Sequence, residues 1–312
     1  MNRVTPLAWT EILGLTPVSE RAAQAWIALR GADGVPPSRY DRSSLRLLRP
    51  SLAWPLWRGV FAVPGKAVLT NLFNHTPTPI ADGWSVRRTQ VRDFRGGDLT
   101  YDSHNGTDLS IPVGSVVTAA APGVVARVWT EFNRGGLKVA IDHGDGLLTS
   151  CAHLARALVA EGEPVARGQP IALSGYSGLD GAITFPFGIP HIHLNVWLDG
   201  EPVDPFGDTP LWRGGRPLPP RAGPEPVTAP GYDLARVDAV IASCTHPPTR
   251  DALAAVPEAR RGAVLIAERC YYPTRFVDAG PVHARANARV ERLTLPFDAR
   301  FDGAVFVDEL DR

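Results

Sequence analysis

Cysteine is scarce in this chain, and long apolar runs are missing. The three cysteines, Cys151, Cys244 and Cys270, are an odd number with no Cys-x-x-Cys pair. That excludes a disulfide framework and a cysteine-based zinc site, and leaves a single Cys244–Cys270 bridge open. No stretch of about 18 apolar residues occurs, so the sequence offers no transmembrane segment. A charge excess is also lacking: Lys+Arg and Asp+Glu are both 32. This balance removes the electrostatic case for nucleic acid or an anionic membrane surface as partner. Met1 to Leu15 shows no basic region followed by an apolar run and a small-residue cleavage site, and does not read as a signal peptide.

What is present is glycine and proline, 30 of each in 312 residues, which points to many turns and short strands. Residues 1–85 form an N-terminal region. Ser19 to Arg30 predicts a helix with Ser19 as N-cap, Ala22, Trp26 and Leu29 on one face, and Gly31 as the stop. Trp54-Pro55-Leu56-Trp57 fits either a binding surface for sugars or proline-rich peptides or, more commonly, an anchor for an irregular segment. Val60 to Leu72 is apolar and partly alternating, as in a strand or two.

Residues 86–207 carry short β-runs broken by Gly and Pro: 113–119, 123–129, 137–142, 146–152, 168–174 and 191–198. Such spacing predicts antiparallel sheet packed on sheet. Residues 208–231 read as a Pro-rich linker. Residues 232–312 read as a small α+β domain, with strands at Arg236–Ala242, Ala263–Ala267, Arg289–Leu295 and Ala304–Val307. A helix at Thr249–Arg260 is ended or kinked by Pro257. The expected class is therefore mainly β, with a partly helical N-terminal segment and a small C-terminal α+β region.

The chemistry concentrates between His104 and His193. In His191-Ile192-His193-Leu194-Asn195-Val196 the apolar residues alternate, so on a strand His191, His193 and Asn195 share one face. His104 and Asp108 point the same way on an extended or bulged segment. Two such nitrogens and a carboxylate suit a three-ligand zinc site whose fourth position is open, the catalytic rather than the structural arrangement. Each pair alone is weak; together, with His153 in Cys151-Ala152-His153-Leu154, they are a much stronger signal.

The segment His104-Asn105-Gly106-Thr107-Asp108 resembles the first metal motif of the lysostaphin/LytM-type zinc metallopeptidases, peptidase family M23. Residues 119–125, 141–146, 151–154 and 168–175 follow that family's order of blocks, and Pro190-His191-Ile192-His193-Leu194 is similar to its closing motif. The resemblance spans about residues 92–206. It implies an antiparallel β core with Zn2+ held by His104, Asp108 and His193, and His153 and His191 as the catalytic pair. The activity implied is metalloendopeptidase hydrolysis by water activated at zinc, with peptidoglycan cross-links as substrate and the cell envelope as location.

Two departures stand out. Cys151 takes the place of a tyrosine usual in the family; as a buried residue it packs, and as a thiolate it would be a nucleophile or extra ligand. Leu179 to Ile189 looks longer and more apolar than the usual connection, and Phe185-Pro186-Phe187-Gly188 could wall or cover the groove. Three alternatives stay open: a non-catalytic binding or activator protein of cell-wall hydrolysis on the same domain, a structural β protein stabilised by zinc, and a biotinyl/lipoyl-like carrier. The carrier needs a lysine at a hairpin tip, a context that Lys66 and Lys138 lack. His143 reads as a turn residue, and His75, His246 and His283 as structural.

Overall fold

In the computed structural model, which describes residues 6–76, 84–144, 146–206, 231–278, 280–284 and 293–310, one 11-stranded sheet draws its strands from between residues 66 and 306, and a separate two-stranded sheet pairs 38–39 with 84–85. Among the described residues the strands are β1 (Ser38–Arg39), β2 (Lys66–Asn71), β3 (Trp84–Ser85), β4 (Thr107–Ser110), β5 (Val116–Thr118), β6 (Gly123–Glu131) and β7 (Gly136–Asp142). They continue as β8 (Leu147–Ala157), β9 (Pro164–Val165), β10 (Pro170–Ser174), β11 (His191–Leu198), β12 (Glu201–Pro202) and β13 (Gly303–Phe306). The helices are α1 (Trp9–Ile12), α2 (Val18–Arg30), α3 (Pro50–Trp57), α4 (Leu179–Thr184), α5 (Leu234–Ala242), α6 (Pro247–Ala254) and α7 (Glu258–Tyr271).

The main path of the sheet is β13-β2-β4-β11-β8-β7-β6-β9, antiparallel except where β13 lies parallel to β2. β10 bonds to both β5 and β8, which turns the sheet back over one apolar core. That core takes Ile192, Leu194 and Val196 from β11 together with Leu109, Val117, Ile171 and Phe297. All six expected β-runs of 86–207 are strands, and the alternation in 191–198 is the reason: its aliphatic set faces this core. β2 and β13 come from outside 86–207, so the sheet draws a strand from each flanking region.

The opposite face is covered at one end by α5–α7. Ala126, Ala140, Leu148 and Trp197 of the sheet pack there on Val237, Val240, Leu265 and Tyr271. Trp197 is fully buried, a burial worth roughly 3 kcal/mol. The expected strand at Arg236–Ala242 is helix α5. Asp233 caps it by accepting from the Arg236 N–H, and Val237, Val240 and Ile241 have the i, i+3, i+4 spacing of a helical stripe. The expected strand at Ala263–Ala267 lies inside α7, where every residue from Gly262 to Tyr271 is buried. A helix packed on several sides shows no polar stripe, and its apolar run mimics a strand. Pro257 separates two helices, standing as N-cap of α7. Of the expected strand at 289–295, residues 289–292 lie outside the described residues, and 293–295 are not in a named strand. The expected Pro-rich linker at 208–231 also lies outside them, apart from Gly231.

In the N-terminal region α2 is capped by Pro17, two residues before the expected Ser19, and ends at Gly31 with φ 74°, the left-handed conformation glycine tolerates. Trp26 and Leu29 are exposed and Ala28 is buried, so the apolar face predicted for this helix is the outer one. Trp57 is an anchor: it is buried, and its Nε1 donates to the Gly188 carbonyl at 3.0 Å. Among the described residues no helix is long and apolar enough to cross a membrane, and all three cysteines are free and buried, without the Cys244–Cys270 bridge.

The β6–β7 hairpin is tied to α7 through Glu131. Its carboxylate accepts from Lys138 Nζ at 2.8 Å and from the Tyr272 hydroxyl at 2.6 Å. Burial opposes ionisation of Glu131, but Lys138 and these hydrogen bonds outweigh it and hold the pKa at about 2. A carboxyl lowered on folding contributes stability above its unfolded pKa and loses it as pH falls towards the folded value. Stability is therefore expected to drop between about pH 4.5 and 2, and Glu131→Gln to flatten that drop while lowering stability at neutral pH. Urea midpoints at neutral pH and at about pH 3, compared for both chains, check this; parallel pH dependences would remove Glu131 as the cause.

Candidate functional site

β4, β11 and β8 are neighbours in the sheet, and their register assembles the site. His193 lies directly across from Asp108 on one side and Ala152 on the other. His191 and His193 project from the same face of β11, as the alternation predicts, and His104 approaches from the loop before β4. Gly106 lets that loop pass: a Cβ there would lie 2.6 Å from His193 Nε2.

Cys151 and His153 would share a face on a regular strand. Cys151 belongs to the apolar core, yet His153 faces the groove with Ala152. A bulge separates them. The β7–β8 register shifts there, and His153 has φ 60°, a left-handed conformation costing about 1–3 kcal/mol for a non-glycine residue. Cys151 is therefore a packing residue. Burial pushes its thiol up to about 12, so it is neither thiolate nor ligand near neutral pH.

The ligating atoms of His104, Asp108 and His193 lie within 4.8 Å of one another. Asp108 Oδ1 is 3.0 Å from His104 Nε2 and 2.8 Å from His193 Nδ1, and 3.5 Å from His191 Nε2. His104 Nε2 and His193 Nδ1 are 3.1 Å apart. Backbone carbonyls fix the outer nitrogens. Nδ1 of His104 donates to Leu72 O at 2.6 Å, that of His191 to Ile189 O at 2.7 Å, and that of His153 to Ser177 O at 2.9 Å. A carbonyl can only accept, so in a neutral imidazole each of these three rings turns a bare Nε2 lone pair inward. A proton can satisfy one pair of the converging atoms; a cation satisfies all three. The donor set, two nitrogens and one carboxylate oxygen with His104 braced from outside, fits a zinc ion with an open position.

The electrostatics agree. Burial alone would raise the Asp108 carboxyl, but the surrounding His104, His191 and His193 side chains hold it well below the carboxylate range. Burial, then the neighbouring His191, holds His153 well below the usual imidazole value, and burial lowers His193 too. Neutral imidazoles are what a metal and a proton acceptor both require.

Several residues around the site carried no recognised sequence signal. Asn71 sits where the β2–β4 register shifts, and its Nδ2 donates to Asp108 Oδ2 at 2.8 Å, leaving Oδ1 for the centre. The Tyr101 ring lies 4.2 Å from His104, and the Tyr176 ring 4.9 Å from His191. Asn195, already placed on the histidine face by alternation, donates to Asn105 O at 2.9 Å and accepts from the Tyr271 hydroxyl at 3.2 Å. The other histidines stay apart. His143 bonds Pro122 O and Thr149 beside its turn, His75 meets Asp204, His246 caps α6, and His283 lies 3.7 Å from Asp142.

The groove opens on two sides of the Tyr40 hydroxyl, which donates to Asp180 Oδ1 at 3.2 Å. One side is a smaller chamber of about 100 Å³ and mixed lining, bordered by Ser85, Ser103, Asn133, Arg134 and Asn195 together with Trp84 and Tyr271. The other is an apolar chamber of about 360 Å³ whose walls are the 40–48 segment and the 183–189 segment. The Leu179–Ile189 stretch is thus α4 plus a wall of the groove.

A sheet-borne cluster of two imidazoles and a carboxylate, flanked by two further histidines, defines a candidate metallopeptidase site. Residues 102–205 match the model of peptidase family M23. Over 101 residues the chain is 38% identical to peptidoglycan DD-endopeptidase ShyA of Vibrio cholerae, covering 32% of this chain and 22% of that protein. Over 137 residues it is 31% identical to a lipoprotein NlpD/LppB homolog of Pseudomonas aeruginosa, covering 41% of this chain and 42% of that one. Among solved structures, a zinc containing peptidase from Vibrio cholerae aligns at 29% identity with a TM-score of 0.34, over 44% of this chain and 36% of that one. The chain spans about a fifth of the length of ShyA.

Proposed function

We propose that this chain is a zinc-dependent metalloendopeptidase acting on the peptide cross-links of peptidoglycan in the cell envelope. In this reading residues 86–207 form the catalytic core and the flanking regions 1–85 and 232–312 frame its groove. The observation that supports it most is the convergence of His104, Asp108 and His193 with two more imidazoles whose inward nitrogens are bare. His104, Asp108 and His193 would hold the ion, which would supply Lewis-acid polarisation of the scissile carbonyl and a water reactive near neutral pH. His153 and His191, their rings 4.8 Å apart, accept the water's proton and steady the charge that develops on the carbonyl oxygen. Ser177 O and Ile189 O keep both rings in the tautomer that can accept. The names carried by the relatives supply the substrate class.

Digestion of purified cross-linked peptidoglycan, with and without chelator, followed by mass analysis of products, tests the proposal. Cleaved cross-links that vanish with chelator and return with zinc are expected. A zinc-loaded chain that binds the polymer and releases no peptide would leave the non-catalytic reading in its place.

A further inference from the structure

The apolar chamber has features that hydrolysis alone does not require. Leu45, Ile183 and Phe187 are large apolar side chains left 64%, 57% and 54% exposed. They come from two segments far apart in the sequence and meet around one cavity, whose floor includes Asp108, His153 and His191. Single exposed apolar residues are ordinary, but several gathered at the mouth of a cavity beside reactive groups mark a ligand surface.

Both walls are held. Asp41 caps the turn of 3-10 helix that carries Leu45, accepting from the Ser43 N–H at 2.7 Å. Ser43 Oγ in turn accepts from the Arg88 N–H at 2.8 Å. On the far side the Thr184 hydroxyl donates to Asp180 O at 2.6 Å, fixing the end of α4 below Phe187. A held apolar pocket binds without first being ordered. The smaller chamber shares Tyr40 and Asp180 with it and has a mixed lining, so a peptide laid across the site meets the more apolar surroundings on one side.

We infer that the chamber bounded by Leu45, Ile183 and Phe187 is a specificity subsite for a bulky apolar side chain, or the methylene stem of a long one, adjoining the scissile bond. The inference rests on the metal-centre reading proposed above and names the substrate feature that reading leaves open. Its residues lie on the 42–47 turn and the 179–189 stretch; Leu45 is outside the segment matched by the family model.

The test is calorimetric binding of two metal-chelating probes, N-acetylglycine hydroxamate and N-acetylleucine hydroxamate, to the zinc-loaded full chain, with zinc content measured beforehand. The leucine probe is expected to bind roughly 10-fold tighter or better, the gain that follows from burying a leucine side chain. Leu45→Ser combined with Phe187→Ser should reduce the preference to about 2-fold or less and leave the glycine probe's affinity unchanged. Because both residues are exposed, the fold should persist, as thermal melting will show; Ile183→Ser is the second variant should the pair unfold. Equal binding of the two probes by the parent chain, or a preference that survives in the folded variants, overturns the subsite. A chain that takes up no zinc, or binds neither probe, overturns the metal-centre reading and the subsite with it.

Discussion

Alanine in place of His104 or Asp108 is expected to remove zinc from the chain and, with it, all hydrolysis. Asp108 Oδ1 stands within 3.0 Å of His104 Nε2 and 2.8 Å of His193 Nδ1, so it is the shared partner of both nitrogens. Two ligands do not hold zinc where three with an open position do. His104 is also braced from outside through Leu72 O, a support whose loss alone typically costs 10- to 100-fold in metal affinity. Metal analysis of the gel-filtered chain should give about one zinc per parent chain and close to none in either variant. Zinc and activity retained in Asp108→Ala would sink the assignment. A thermal melt separates this from unfolding, since removing the carboxylate leaves the apolar core on the other face untouched.

His153→Ala has a different expected signature: zinc retained, turnover reduced about 10²- to 10⁴-fold, the range of a lost general acid–base group. His153 Nδ1 is occupied by Ser177 O, and its ring centre lies 4.8 Å from that of His191 and 6.4 Å from that of His193. It flanks the three ligating atoms without joining them. His153→Asn is a useful companion, because asparagine tolerates the left-handed backbone at φ 60° and so separates the missing imidazole from a disturbed bulge. Loss of metal in either variant would move His153 among the ligands; undiminished turnover would end its part in catalysis.

The sheet was legible where periodicity had only one reading. From His191 to Val196 β11 alternates strictly, one face aliphatic and one face polar, and this places His191 and His193 together. The bulge at His153 was not legible, because counting by twos puts Cys151 and His153 on the same face; only the left-handed residue separates them. Asn71 was missed for a similar reason, its amide being aimed at Asp108 by a register shift between β2 and β4. In the last hundred residues α7 reads as a strand because its apolar run is buried throughout, which erases the polar stripe that announces a helix. Helix α5 keeps the stripe Val237, Val240 and Ile241, but its exposed face carries Leu234, Ala235, Ala239 and Ala242, so the contrast is weak. Tyr271, at the end of α7, borders the groove through bonds to Ser150 and Asn195, a contribution that no local pattern announces.

The parallel pairing of β13 with β2 bears on how the chain can be shortened. β2 precedes the site-bearing strands in sequence and pairs with β4 on one edge, but its other edge is closed by a strand that follows α5–α7. Without that strand Val68 and Leu69, fully buried in the finished protein, stand on an open strand edge of the kind that recruits neighbouring chains. Chains cut before Gly303 would thus be the aggregation-prone species.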